Sequence, residues 1–129
     1  MSGMKTVLSL LFLALAVAPA PLRAQTDDSQ LRLFASCAGR LSAVMEYQWM
    51  FDGVASERTE LQRASVLQLV EATMPDGMGR EVLHWRLSAK LAQSALLTRA
   101  TFNDDQSDAA WAAQMADRLT RECTALILS

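Results

Sequence analysis

Residues 29–53 read SQLRLFASCAGRLSAVMEYQWMFDG, and this stretch decides the predicted fold. Asp28 or Ser29 is a good N-cap for a helix, and Asp52-Gly53 is a suitable stop. On a helical wheel the apolar residues fall within an arc of about 160°. They are Leu31, Leu33, Phe34, Cys37, Ala38, Leu41, Val44, Met45, Trp49 and Phe51. A helix with so wide an apolar arc can pack against two neighbouring helices at once.

Three more segments have helical periodicity, and none alternates like a β-strand. The second helix is predicted from near Ser56 to Met74, because Pro75-Asp76-Gly77 cannot continue it. Its predicted apolar face is Leu61, Ala64, Leu67, Val70 and Met74. The fourth helix follows 103–105, an Asn-Asp-Asp sequence that can cap it. Its predicted apolar face is Trp111, Met115, Leu119, Cys123 and Leu126.

The third helix, predicted over about 79–101, carries two apolar rows. The first row consists of Val82, Trp85, Ala89, Ala92, Leu96 and Ala100. The second row, Leu83, Leu87 and Leu91, lies on a different side of the helix. A bundle helix needs only one apolar stripe, so the second row is a candidate surface for a protein partner or for self-association. The alternative is that asymmetric packing buries it.

Short connections between long helices predict an all-α, four-helix, up-down-up-down bundle. In that arrangement Cys37 and Cys123 lie roughly 13 and 9 Å from the same end of the outermost helices. Both also fall within the apolar arcs of their helices. Since these are the only two cysteines, the sequence predicts one interhelical disulfide between them.

The first 24 residues predict a secretory signal peptide. Lys5 precedes an apolar run over 7–18, and a Pro-bearing exit leads to Ala24 and Gln25. That run is shorter than the ~20 residues a membrane anchor needs. We therefore expect a mature domain over 25–129 with no membrane span, and a periplasmic or secreted location. Abundant arginine and alanine suggest a bacterial source.

The charge of the mature domain disfavours nucleic acid as a partner. All 14 acidic residues follow residue 24, but only 10 of the 12 basic ones do, because Lys5 and Arg23 precede it; the mature charge is about −4. A phosphate backbone requires a basic face instead.

The sequence contains no residue pattern typical of a catalytic or metal site. His84 is the only histidine, which is too few for a zinc site, and no serine lies in a nucleophile motif. A copper site near Met74, Met78 and His84 can be drawn, but methionine at helical spacing is usually core filler. The acidic run 103–108 departs from the calcium-loop pattern and reads as capping. No catalytic, cofactor or metal residue is predicted.

Two functions follow as expectations. The first is a non-enzymatic binding or protein-interaction module that uses Leu83, Leu87 and Leu91. The second is a carrier or sensor of a small ligand or of copper, with Trp85, Trp111 and the methionines lining the bundle interior. An enzyme is not expected, since the titratable residues form no catalytic constellation.

Overall fold

The computed structural model describes residues 22–128, together with residues 16 and 18, and gives side chains from residue 27 onward. The described residues form four helices: α1 (Leu22–Phe51), α2 (Gly53–Thr73), α3 (Gly79–Thr101) and α4 (Gln106–Ala125). The prediction of an all-helical chain is confirmed for this part. The predicted signal peptide lies outside the described residues, apart from residues 16, 18 and 22–24.

α1 begins earlier than predicted. It starts at Leu22 rather than at Asp28 or Ser29. Residues 22–31 contain no proline or glycine, and the Arg-Ala-Gln sequence after Leu22 consists of good helix formers. The backbone therefore has no reason to leave the helix at Asp28.

The other helix ends follow the capping rules. α2 begins at Gly53 rather than near Ser56, because Asp52 caps it by accepting a hydrogen bond from the Ala55 N–H at 3.1 Å. Asp105 caps α4 in the same way, accepting from the N–H groups of Ser107 and Asp108 at 3.0 and 3.1 Å. Carboxylates at these positions satisfy N–H groups that lack partners within the helix.

The α2–α3 turn also forms where the sequence predicts it. The turn follows Thr73, and Gly77 takes a positive φ of 84° that favours glycine.

α1 is the central element of the described chain. It packs against each of the other three helices, and α4 also packs against α3. α2 has no comparable interface with α3 or α4, so α2 and α3 flank α1 rather than each other. The prediction that α1 packs against two helices at once is met by α2 and α3, whereas the expected contact between the consecutive helices α2 and α3 does not form.

Gly39 allows α3 to pack closely on α1. A Cβ atom at this position would lie 2.1 Å from the backbone carbonyl oxygen of Arg86 and 3.0 Å from the backbone nitrogen of Lys90. Only glycine fits where two backbones approach so closely.

The core forms two clusters along α1. One contains Leu31, Phe34, Ala35, Val70 and Val82. The other contains Cys37, Ala38, Leu41, Val66 and Cys123. The predicted disulfide between Cys37 and Cys123 is confirmed, with a Cα–Cα distance of 5.2 Å. It joins α1 to α4 inside the second cluster.

α2 buries a face that is rotated from the predicted one but shares Leu67 and Val70 with it. Ser56, Thr59, Val66 and Val70 are buried, whereas Leu61 is 71% exposed and Ala64 and Met74 are also exposed. The α1–α2 interface is partly polar: Thr59 Oγ1 donates to Gln48 Oε1 at 2.6 Å, and Arg63 Nε donates to Ser42 Oγ at 2.7 Å. Apolar periodicity cannot detect a face that is buried through hydrogen bonds.

The buried face of α4 is shifted as well. Ala112 and Ala116 are buried beside Cys123, whereas Trp111 is half exposed. The guanidinium of Arg99 lies 5.1 Å from the centre of the Trp111 ring, which holds that ring on the surface. The small alanines let α4 pack closely instead. No helix among the described residues is both long enough and apolar enough to cross a membrane.

Candidate functional site

The predicted partner surface, Leu83, Leu87 and Leu91, stands on the outside of α3. The three side chains are 49%, 50% and 71% exposed. α3 packs through its other side, where Val82 and Gln93 are buried. The described helices therefore leave about half of Leu83 and Leu87 and most of Leu91 exposed, and their use by a partner stays a prediction.

A groove lies beside this row of leucines, between α2 and α3. We call it the α2/α3 groove. It has a volume of about 140 Å³. Leu83 and Leu87 contribute to one wall, Arg63 of α2 contributes to the other, and Ser42 and Met45 of α1 contribute to the floor. The groove exists because α2 and α3 both pack on α1 without closing on each other.

The α2/α3 groove is basic, although the chain as a whole is acidic. Lys90 Nζ forms an ion pair with Glu46 Oε1 at 2.6 Å across its floor. Arg86, a residue of intermediate exposure, makes no ion pair or side-chain hydrogen bond within the described part of the chain, and Arg63 donates only through Nε, to Ser42. Two guanidiniums of the groove, those of Arg63 and Arg86, therefore form no ion pair with a carboxylate of the described residues.

Sequence reasoning missed these two arginines. Arg63 and Arg86 lie on separate helices, and no motif links them. Apolar periodicity selects only apolar residues, so it did not mark Arg63 of α2 as a candidate. Only the packing of both helices on α1 places the arginines in one groove.

A second hollow opens between α1, α3 and α4, and its volume is about 340 Å³. Val44 and Tyr47 of α1, Leu97 of α3, and Ala113 and Ala116 of α4 contribute to its largely apolar lining. We call this space the α1/α3/α4 hollow. Its size falls at the lower end of the range for small-molecule sites.

Two exposed phenylalanines lie at the end of the molecule next to this hollow. Phe51 and Phe102 are each more than half exposed there. The Phe51 ring lies 4.8 Å from the Tyr47 ring, and the Tyr47 hydroxyl hydrogen-bonds Thr101 Oγ1 at 2.7 Å, directly before Phe102. The corner between α1 and α2 and the end of α3 are therefore adjacent.

Trp85 and Trp111, which the sequence suggested for one ligand site, lie apart in the structure. Trp85 packs beside the first core cluster, and its ring lies 5.7 Å from the guanidinium carbon of Arg32. Trp111 contacts Arg99, which follows Trp85 by fourteen residues on α3. That spacing corresponds to about 21 Å along a helix, too far for one small ligand.

Met74, Met78 and His84, which the sequence suggested as a possible copper site, lie in different environments. Met78 packs beside the first core cluster, whereas His84 and Met74 are exposed. Over the stretch that the structure describes, no three His, Cys, Asp or Glu side chains group as a metal site.

The acidic run 103–108 serves capping and pairing. Asp108 accepts from Arg99 at 2.6 Å and from the Asn103 amide, also at 2.6 Å. The hydrogen bond from Arg99 is the main cause that lowers the pKa of the Asp108 carboxyl below its ordinary value. The prediction that these carboxylates cap α4 is confirmed at Asp105.

In comparisons with known proteins, the chain matches no family model, no curated protein and no solved structure. Function is therefore inferred from the chemistry of the groove and the hollow.

Proposed function

We propose that the chain is an exported, non-enzymatic protein-interaction module that binds an acidic amphipathic helix in the α2/α3 groove. The observation that supports this proposal is that half-exposed leucines and arginines without a counter-charge line the same groove. Each component has a matching feature in such a helix. The proposal thus explains both the surplus apolar row and the basic character of this face.

The apolar part of the match comes from the leucine row. Leu83, Leu87 and Leu91 repeat every four residues, about one helical turn. An amphipathic helix that packs against such a row presents its own apolar residues at the same repeat. Covering side chains that are now half exposed removes apolar surface from water and favours binding.

The polar part of the match comes from Arg63 and Arg86. A partner that covers these cations removes water from them, so it must supply an anion in return. Carboxylates on the partner would receive charge-assisted hydrogen bonds from the guanidiniums, in a geometry that arginine forms well. Acidic residues flanking the apolar stripe are therefore the expected recognition feature.

Site-specific photo-cross-linking in the periplasm tests the proposal. A photoreactive phenylalanine analogue replaces Leu87, and mass spectrometry identifies the segment that becomes attached. We expect a helical segment with acidic residues beside apolar ones. We also expect Leu87→Glu to abolish the complex without lowering the unfolding temperature, because Leu87 is half exposed.

Leu61→Glu is the matched control. Leu61 is an exposed leucine on α2 that does not line the groove. The complex should survive this change. Loss of the complex in both variants, with cross-links to a second copy of the chain, would instead indicate self-association through α2. Attachment to a basic segment, or unfolding of the Leu87→Glu protein, would also contradict the proposal.

Export and topology form part of the same proposal. The apolar run over 7–18 and the disulfide support secretion to the periplasm with Gln25 as the mature start, which N-terminal sequencing of periplasmic protein checks. The pairs Gln48–Thr59 and Ser42–Arg63 advance in opposite directions along α1 and α2. They support an up-down-up-down order.

A second function, carriage of a small ligand, is favoured by the α1/α3/α4 hollow. Its volume of about 340 Å³ and its largely apolar lining suit an apolar molecule. Titration with the uncharged dye Nile red tests this function. A saturable fluorescence increase is expected, and a strictly linear response would contradict it.

A further inference from the structure

We propose that the α1/α3/α4 hollow binds the chain of a single-chain amphiphile whose head group is uncharged or cationic. This inference rests on the carrier function proposed for the hollow and names its ligand class. Three features lead to it: an apolar trough, exposed aromatic side chains at one end, and an acidic rim.

The trough is lined by side chains that attract hydrocarbon. Val44 and Leu97 supply branched apolar groups, and Tyr47 supplies an aromatic ring. The Tyr47 hydroxyl is already hydrogen-bonded to Thr101, so the ring can contact a ligand without leaving a polar group unpaired. Such a lining favours an alkyl chain over a polar molecule.

Alanines keep the trough open. Ala100 of α3 and Ala113 and Ala116 of α4 line it with methyl groups where larger side chains would fill the space. α4 packs against α1 nearer its C-terminal end, where the disulfide joins the two helices. The hollow is therefore an open, apolar space between three helices, which an alkyl chain can occupy.

Exposed aromatic rings lie where the chain would emerge. Phe51 packs against Tyr47, a lining residue, and Phe102 follows the Thr101 that Tyr47 contacts. Both phenylalanines are more than half exposed. They can cover the part of an alkyl chain that extends beyond the trough, which would also reduce their own exposure to water.

Acidic groups surround this end and select the head group. Asp52, Asp104 and Asp105 lie exposed at the two corners beside this end. Asp117, which lines the hollow, is paired with Arg121 and adds no free charge. An anionic head would meet like charges here, whereas an uncharged or cationic head would not.

Isothermal titration of protein recovered from the periplasm tests this inference. The probes are dodecyltrimethylammonium, dodecyl maltoside and dodecyl sulfate, each kept below its critical micelle concentration. We expect saturable binding of one molecule of either of the first two. Dodecyl sulfate should bind about tenfold more weakly or less, because its charge repels the rim.

Two matched variants locate the site. Ala113→Leu places a larger side chain in the hollow and should weaken binding about tenfold by displacing methylene groups. Ala125→Leu adds the same side chain at an exposed position near the other end of α4 and should leave binding unchanged. Both positions are exposed, so both proteins should unfold at the wild-type temperature.

The outcomes separate this inference from the carrier function. Nile red binding that Ala113→Leu blocks, with no binding of any amphiphile, overturns the ligand class and leaves the carrier function standing. Failure of all four probes overturns both. Equal binding of dodecyl sulfate overturns the head-group assignment, and wild-type affinity in Ala113→Leu overturns the location.

Discussion

Gly39 determines how closely α3 can approach α1, although it sits in a helix where glycine is intrinsically unfavourable. Its missing side chain leaves room for the backbone of α3 at Arg86 and Lys90. A glycine within an apolar helical stretch is a recognisable signal in the sequence. The helix that would fill the space could not be read from the sequence, because the signal is local and the contact is not.

Gly39→Ala should destabilise the protein by about 1–3 kcal/mol or more, as expected for overpacking. The added Cβ would lie 2.1 Å from the Arg86 carbonyl oxygen, and a backbone atom cannot rotate away as a side chain can. Urea unfolding measures the change. Gly53→Ala is the control, because nothing lies within 4 Å of a Cβ there. Equal unfolding midpoints for the two variants would rule out the close approach.

The residues of the α2/α3 groove differ in how far the sequence reveals them. Leu83, Leu87 and Leu91 could be selected from the sequence because they share one side of one helix. Arg63 and Arg86 could not, because their proximity arises from tertiary packing. The apolar half of the candidate site was therefore predictable, and the charged half was not.

At the scale of the element, α2 shows where sequence reasoning succeeds and where it fails. The turn at 75–77 and the cap at Asp105 were predicted because proline, glycine and aspartate act locally. The buried face of α2 was predicted only in part: Val70 is buried as expected, but the face also includes Ser56 and Thr59, which a search for apolar residues does not select. Buried polar residues become acceptable only when partners on another helix satisfy them.

Thr59→Val should destabilise the α1–α2 interface by about 1 kcal/mol, because it leaves Gln48 Oε1 without the donor that lies at 2.6 Å. Valine has nearly the same shape, so the loss reports the hydrogen bond rather than a cavity. The double variant Gln48→Leu with Thr59→Val should recover part of this loss, since both partners are then apolar. Denaturant unfolding of the wild type, the two single variants and the double variant measures the coupling energy between the two side chains. Additive losses of stability would show that the hydrogen bond contributes nothing.

For the whole molecule, the arrangement of three helices around α1 leaves α4 with a limited interface on α1. The second core cluster, with Cys37 and Cys123 at its centre, ties the two helices together. The disulfide was predictable because two cysteines lay at similar heights on apolar faces. The central position of α1 was not, since the width of an apolar arc does not say which helices fill it.

Removing the disulfide should lower stability by roughly 4–5 kcal/mol in the chain-entropy model. The bond spans 86 residues, and without it the unfolded chain regains the freedom that the closed loop denied it. For a domain whose total stability is ~5–15 kcal/mol, this loss should lower the unfolding temperature by tens of degrees. Calorimetry with and without reductant measures the shift. The variant with alanine at both Cys37 and Cys123 should melt at the reduced temperature and should not respond to reductant. Two thiols that react with a labelling reagent in the untreated native protein would contradict the bond itself, whereas an unchanged melting temperature on reduction would show that packing alone holds α4 on α1.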